Sequence, residues 1–118
     1  MKSINFSYDE IEIPLKNKHK KQTTRGKKIP KMIVGEIVMI QWYRKDLYPV
    51  KITKIYPKMF KDLTKNEAFK DGFNRLKDYK EALRKIYDLK PQNYVFIIQW
   101  NPLSHNSLEN FPLYKGEI

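Results

Sequence analysis

The sequence has no cysteine among its 118 residues. That absence removes disulfides, thiolate zinc sites and a cysteine nucleophile together, and it fits a reducing compartment. Glycine is scarce: the four residues at 26, 35, 72 and 116 are isolated, so no glycine-rich loop is present to cradle phosphates. The two histidines, His19 and His105, are far apart, with no HxxxH or DxD pattern. Neither a metal site nor a Ser-His-Asp arrangement finds support, and each histidine reads as a surface side chain. Long hydrophobic runs are missing as well. The longest, Tyr94 to Ile98, is far short of the roughly 18 residues of a membrane span. The opening residues Met1 to Phe6 lack the apolar segment of a signal peptide. The expectation is a soluble cytoplasmic domain with no membrane, metal or cofactor. With 41% apolar and 14% aromatic residues the chain fills one core and not two, so residues 1–118 read as a single domain.

Acidic residues are missing from one long stretch. Between Ile13 and Gly35 there is none, while Lys16, Lys18, Lys20, Lys21, Arg25, Lys27, Lys28 and Lys31 all fall there, carrying +8 of the net +11. A local field of this kind attracts phosphates, with an affinity that falls steeply in salt. The same lysines also suit a solvated loop in a lysine-rich chain. Nucleic acid ranks ahead of a lipid surface as the polyanionic partner, and a positive surface gives paired carboxylates for glycoside chemistry no support.

Apolar patterning supplies the elements. Ile11 and Ile13 alternate with Glu10 and Glu12 before Pro14, a short strand by period. The basic stretch to Pro30 reads as loop or loop-flanked extended chain. Ile37 to Tyr43 follows the Gly35-Glu36 turn and is β-branched and aromatic on both faces, as in a central strand or barrel wall. Arg44-Lys45-Asp46 connects it to a strand from Tyr48 to Tyr56, which Pro49 and Pro57 bound, as suits a sheet edge or a strand end. Thr64 and Glu67 form a capping box opening a short helix through Lys70, and Gly72 occupies its C-terminal stop. A second helix spans about Asn74 to Asp88, with Leu76, Tyr79, Leu83, Ile86 and Tyr87 on one face. Pro91 ends it, Tyr94 to Trp100 is the last strong strand, and residues 102–118 form an irregular tail. The order describes a small mixed α+β domain, a curled sheet closed by helices.

One segment gathers chemistry: Lys20-Lys21-Gln22-Thr23-Thr24-Arg25. If Thr23 to Arg25 is extended, Thr23 and Arg25 share a face and Lys20 reaches in from the preceding turn. An ammonium, a hydroxyl and a guanidinium then stand together at the entrance to a sheet, able to hold a phosphate or a base edge.

Four motifs in order resemble the ASCH domain family of the PUA-like superfamily: Lys20, Thr23 and Arg25; then Gly35-Glu36 leading into a strand; then Thr64, Glu67, Ala68, Asp71, Gly72 and Phe73; then the strand Tyr94 to Trp100 after a longer helix. The resemblance covers about residues 8–101. Two positions depart from the pattern: Lys18 stands where glycine is usual, and Asp71 stands where glutamate is usual. The altered residue 18 implies a different turn before Lys20, and the shorter carboxylate a different reach.

The resemblance implies a small PUA-like β-barrel, a curled mixed sheet with two to three helices packed on it. It further implies RNA binding in a cleft between barrel and helices; Lys18, Lys20, Lys21, Thr23, Arg25, Lys27 and Lys28 are expected to grip the RNA, with an exposed ring, Trp42 being one candidate, stacking on a base. Trp42 and Tyr43 point to opposite faces of their strand, so one of them belongs to the core; Trp100 is the other stacking candidate, with packing beneath the barrel ranked first for it. Some family members are hydrolases, described as N4-acetylcytidine amidohydrolases or as ribonucleases. Carried over, the catalytic set is Lys20, Thr23 and Asp71: like charges around Lys20 lower its pKa, neutral Lys20 deprotonates Thr23, and Asp71 manages protons on the leaving amine. RNA is the expected partner, DNA the second choice, and a monomer is assumed. A basic DNA-coating or ribosome-associated protein is the third reading.

Overall fold

The computed structural model describes residues 1–26, 28 and 30–103. Lys27 and the tail from residue 104, with His105, lie outside the described residues. Five strands, β1 (Ser3–Phe6), β2 (Gln22–Gly26), β3 (Ile37–Trp42), β4 (Lys45–Met59) and β5 (Tyr94–Pro102), make one mixed sheet in the order β1-β3-β4-β5-β2. Among the described residues only the β1–β3 pairing is parallel. Three α-helices, α1 (Glu12–Lys16), α2 (Lys65–Lys70) and α3 (Leu76–Tyr87), accompany it. Among the described residues no helix is long and apolar enough to cross a membrane.

The sheet curls into a half-barrel. Its register shifts between Ile40 and Gln41 in the β3–β4 pair and between Ile52 and Lys54 in the β4–β5 pair, irregularities that bend a strand and raise its twist. The curl brings the two edge strands to within one side chain of each other: Arg25 on β2 points its guanidinium at the Asn5 carbonyl on β1, 3.5 Å away. Val38, Ile40, Val50, Val95 and Ile97 are wholly buried and Trp100 is 1% exposed; Trp100 shares its face of β5 with Ile98, opposite Val95 and Ile97, so both faces of this strand are covered. Helix α3 closes the open side with Tyr79, Ala82 and Leu83, spaced three and four apart as one helical stripe requires. Each valine, isoleucine or leucine among them, fully buried, contributes about 1.5–3 kcal/mol.

Several local expectations change. Ile11 to Ile13 is not a strand: Asp9–Ile11 is a 3-10 turn running into α1, because Ile11 and Leu15, four apart, both turn inward while Ile13 is 77% exposed. Pro14 fits because it lies in the first turn of α1, where a backbone N–H has no intrahelical acceptor. The strand β1 has no counterpart in the sequence reading. The β3–β4 turn is Tyr43-Arg44, both with positive φ (47° and 65°) as a tight two-residue hairpin needs, so Lys45 and Asp46 already belong to β4. Strand β4 is central and runs straight through both prolines. It tolerates them because β3 pairs only with residues 45–51 and β5 only with residues 50–59. Pro49 therefore has no strand partner on its β5 side, where only its carbonyl is engaged, by the Leu103 amide at 3.1 Å, and Pro57 has none on its β3 side, which spares the ladder the missing N–H.

The helix pair follows its sequence signals. Thr64 and Glu67 form the reciprocal capping box, and Gly72 follows α2 with φ of 100°. A Cβ at Gly72 would stand 3.1 Å from the Pro14 Cγ, so both the left-handed backbone and the approach of α1 require glycine there. Ile86 departs from the expected stripe: it is 55% exposed, at the rim of the cleft described next.

Candidate functional site

The basic segment is held between three elements before it becomes β2. The Lys20 amide donates to the Pro14 carbonyl at 2.9 Å, the Lys21 amide to the Lys70 carbonyl at 2.9 Å, and the Lys21 carbonyl accepts from the Trp100 amide at 3.1 Å. Lys18 turns the chain with φ of 65°. The lysine thus adopts the left-handed conformation that glycine takes most easily, so residue 18 needs no glycine to make the turn.

This anchoring drives Lys20 inward. Its side chain is 1% exposed, and its ammonium pairs with the Asp71 carboxylate and donates to the Asp71 carbonyl at 2.6 Å. Burial pushes the Lys20 ammonium below the usual lysine range; the charge and hydrogen bond of Asp71 act in the opposite direction, and the nearby Arg25 adds a smaller push downward. The direction is the one expected from the sequence, but desolvation and not the cluster of like charges is the main cause. The other carboxylate oxygen of Asp71 accepts from Gln22 at 3.0 Å and from Thr24 at 2.7 Å. Thr24 spends its single proton on Asp71 and therefore accepts from the Tyr79 hydroxyl. Burial raises the Tyr79 phenol well above its ordinary value.

The polar network continues beneath the sheet. Gln22 also donates to the Glu67 carbonyl at 3.0 Å and accepts from Gln99 at 3.0 Å. Glu67 receives Tyr56 at 2.7 Å, Lys58 at 2.8 Å and the Thr64 amide at 2.9 Å. Burial alone would raise the Glu67 carboxyl, but the hydrogen bonds from Lys58, Tyr56 and Thr64 outweigh it and hold the group below its usual range. Buried polar groups are tolerated when every member has a partner, as here.

Above Lys20 and Asp71 opens a cleft of about 300 Å³ between β2, the β1 end and α3. Thr23, Thr24 and Arg25 form one wall, Phe6 and Tyr8 a second, and Ile86 with Tyr87 a third. Phe6 carries two cations near its ring, the Lys20 ammonium at 5.1 Å and the Arg25 guanidinium at 5.2 Å from the centroid. Arg25 also donates from Nε to the Thr23 hydroxyl at 3.1 Å. No carboxylate pairs with Arg25 among the described residues. With Lys20 balanced by Asp71, the cleft keeps one uncompensated positive group.

The expected site residues divide among several places. Lys20, Thr23, Arg25 and Asp71 share the cleft. Lys18 and Lys21 line a different hollow, on the outer side of α2, and Lys28 lines a third one beside Arg25 and Met32. Lys27 lies outside the described residues. Trp42 is half-buried at the end of β3, outside the cleft lining, with its ring edge-on to Tyr43 at 4.9 Å. Among the described residues no hydrogen bond joins Thr23 to Lys20 or Asp71; Thr24 is the threonine on the carboxylate. The sequence reading places Gln22 and Thr24 in the basic segment and Tyr79 on the apolar helix stripe, but gives none of them a role at the site. A period of two from Lys20 gives Gln22 and Thr24, so strand alternation carries that signal, whereas nothing local marks Tyr79. No group of three His, Asp or Glu side chains with metal-binding proximity occurs among the described residues.

No protein-family model and no curated protein sequence matches the chain. Solved structures do match in fold. An ASCH domain from Lactobacillus crispatus superposes with a TM-score of 0.70 at 14% identity, covering 85% of this chain and 79% of that one. A protein from Enterococcus faecalis gives 0.65 at 15% identity, covering 87% and 80%. The ASCH protein of Zymomonas mobilis gives 0.60 at 14% identity, covering 92% and 79%. The likeness is one of fold: a curled mixed sheet carrying three helices, the α+β architecture of the ASCH domain structures.

Proposed function

We propose that this chain, which has the fold of the ASCH domains, binds RNA, with one nucleotide of an unpaired strand seated in the cleft above Lys20 and Asp71. The observation that carries this reading is the lining of the cleft. A space of about 300 Å³, walled by Phe6, Tyr8 and Tyr87 and bearing the unpaired Arg25 guanidinium, suits a base and its sugar-phosphate. Unpaired RNA is recognised through stacking on aromatic rings and hydrogen bonds to exposed base edges. The net charge of +11 supplies attraction at longer range.

A hydrolytic reading rests on a second observation, the buried Lys20 whose ammonium is disfavoured by desolvation. A neutral Lys20 would take the Thr23 proton as Thr23 Oγ1 bonds to an amide carbonyl carbon. The C–N bond would then break, the leaving amine would be protonated, and water would release the acyl group from Thr23. Binding ranks first because Lys20 is engaged by Asp71 and Thr23 by Arg25.

Titration of labelled single-stranded RNA, hairpin RNA and duplex DNA across a salt series separates the readings. Each sample is also assayed for cleavage, with N4-acetylcytidine incubated in parallel. RNA preference without product, weakened about ten-fold by Arg25→Gln, supports the binding module. Turnover that Lys20→Ala abolishes would replace it with the hydrolase. Equal affinity for all three nucleic acids would leave only a basic surface.

A further inference from the structure

Behind the Lys20–Asp71 pair lies a second hollow of about 590 Å³, between the turn preceding β2 and the outer side of α2. The two sites share a wall. Lys20 and Asp71 line the cleft, while their chain neighbours Lys21 and Lys70, joined by the 2.9 Å hydrogen bond between their backbones, line the hollow. Three lysines, Lys18, Lys21 and Lys70, border it, and no carboxylate does. None of the three forms a salt bridge among the described residues. Phe69 also borders it, 51% exposed, with the exposed His19 ring edge-on at 4.6 Å. The backbone beneath is fixed by the left-handed Lys18 and by the His19 amide donating to the Asn17 side chain at 2.9 Å.

A half-exposed aromatic ring gains little from folding, and three cations without counter-charges gain nothing from one another. Together they match a chain that alternates flat apolar rings with phosphates. We infer that this hollow is a second subsite for single-stranded RNA, in which a base stacks on Phe69 beside His19 and Lys18, Lys21 and Lys70 hold the flanking phosphates. The absence of any carboxylate and the aromatic platform favour a polyanion with planar groups. The inference rests on the RNA-binding reading of the cleft and extends the bound strand past the shared wall.

Fluorescence anisotropy with a labelled unstructured oligouridylate tests it, using the parent, Phe69→Ala, Phe69→Trp, the triple variant Lys18→Gln/Lys21→Gln/Lys70→Gln, and Arg25→Gln for the cleft. All the altered side chains of the hollow are exposed, so the fold is preserved, which circular dichroism checks. Phe69→Ala is expected to weaken binding about ten-fold, whereas Phe69→Trp keeps the parent affinity. The triple variant should lower the slope of log affinity against log salt by about 2, near 0.7 for each lost phosphate contact on a single strand. If Arg25→Gln weakens binding while Phe69→Ala and the triple variant stay within two-fold of the parent, the second subsite is overturned and the cleft reading stands. If Phe69→Ala weakens binding and Arg25→Gln does not, the hollow is the site and the cleft reading fails. A parent with no affinity for the oligomer, or variants that all match the parent, overturns both.

Discussion

Replacing Asp71 by Asn isolates the electrostatics at the centre of the candidate site, because it keeps shape and removes charge. Three donors converge on this carboxylate: the Lys20 ammonium on one oxygen, Gln22 and Thr24 on the other. An asparagine offers one acceptor oxygen and two N–H donors. With its oxygen toward Gln22 and Thr24, its amide N–H faces the ammonium, donor against donor. With the amide flipped, Lys20 keeps an acceptor and the other two donors lose theirs. In both orientations a cation that is 1% exposed loses its counter-charge. Breaking a buried pair in this way costs about 3–5 kcal/mol, a large share of the about 5–15 kcal/mol that holds a domain folded. The half-exposed Lys16–Glu12 pair on α1 is the internal control, and Glu12→Gln should cost no more than about 0.5 kcal/mol.

The loss should also depend on pH with a defined sign. The folded-state pKa of Lys20 lies below its unfolded value because burial lowers it. Between the two values the unfolded chain binds more protons, so stability from this group rises with pH. Removing Asp71 takes away the interactions that oppose the lowering, so folded Lys20 sheds its proton at a lower pH in the variant. The difference between parent and variant therefore shrinks as pH rises toward the ordinary lysine value of about 10.4. Urea unfolding of both proteins at several pH values measures it, provided the m-value is unchanged. A cost under about 1 kcal/mol at pH 7, or one independent of pH, would refute this account of the pair.

Lys18→Gly should stabilise the fold by about 0.5–1 kcal/mol, since the left-handed backbone at φ of 65° strains a lysine by more than glycine adds in unfolded-state entropy; a lowered urea midpoint would contradict it. Glu67→Gln should cost about 2 kcal/mol at pH 7 through weakened bonds from Lys58, Tyr56 and Thr64. Because the folded Glu67 pKa is depressed, its contribution is complete above the ordinary glutamate value of about 4.3 and fades as pH falls through the folded value. The parent and Glu67→Gln should accordingly converge in acid, and thermal melts from pH 7 down to pH 3 follow that convergence.

Much of this molecule is decided within short windows of sequence. Thr64 with Glu67 caps α2, Gly72 stops it, and the spacing of Leu76, Tyr79, Leu83 and Tyr87 makes α3, since each signal acts within one or two helical turns. The apolar runs of β3 and β5 are equally local, and the placement of Lys20, Thr23, Arg25 and Asp71 in one cleft was legible through a resemblance in their order and spacing. Tertiary structure decided what depends on partners distant in the chain. Strand β1 is four residues long and exists because β3 pairs with it. The run from Ile11 to Ile13 is too short for its period to separate strand from helix, and the buried environment of Ile11 and Leu15 made it helical. Pro49 and Pro57 became interior to β4 because the two neighbouring strands end at staggered places. Burial more than sequence neighbours lowers the Lys20 pKa; the packing of α2 and α3 against β2 put Thr24, Gln22 and Tyr79 around Asp71. The same packing left Lys18 and Lys21 on the far side of the wall. A contiguous basic run fixes how much charge the chain carries, and only the fold fixes which way each charge faces.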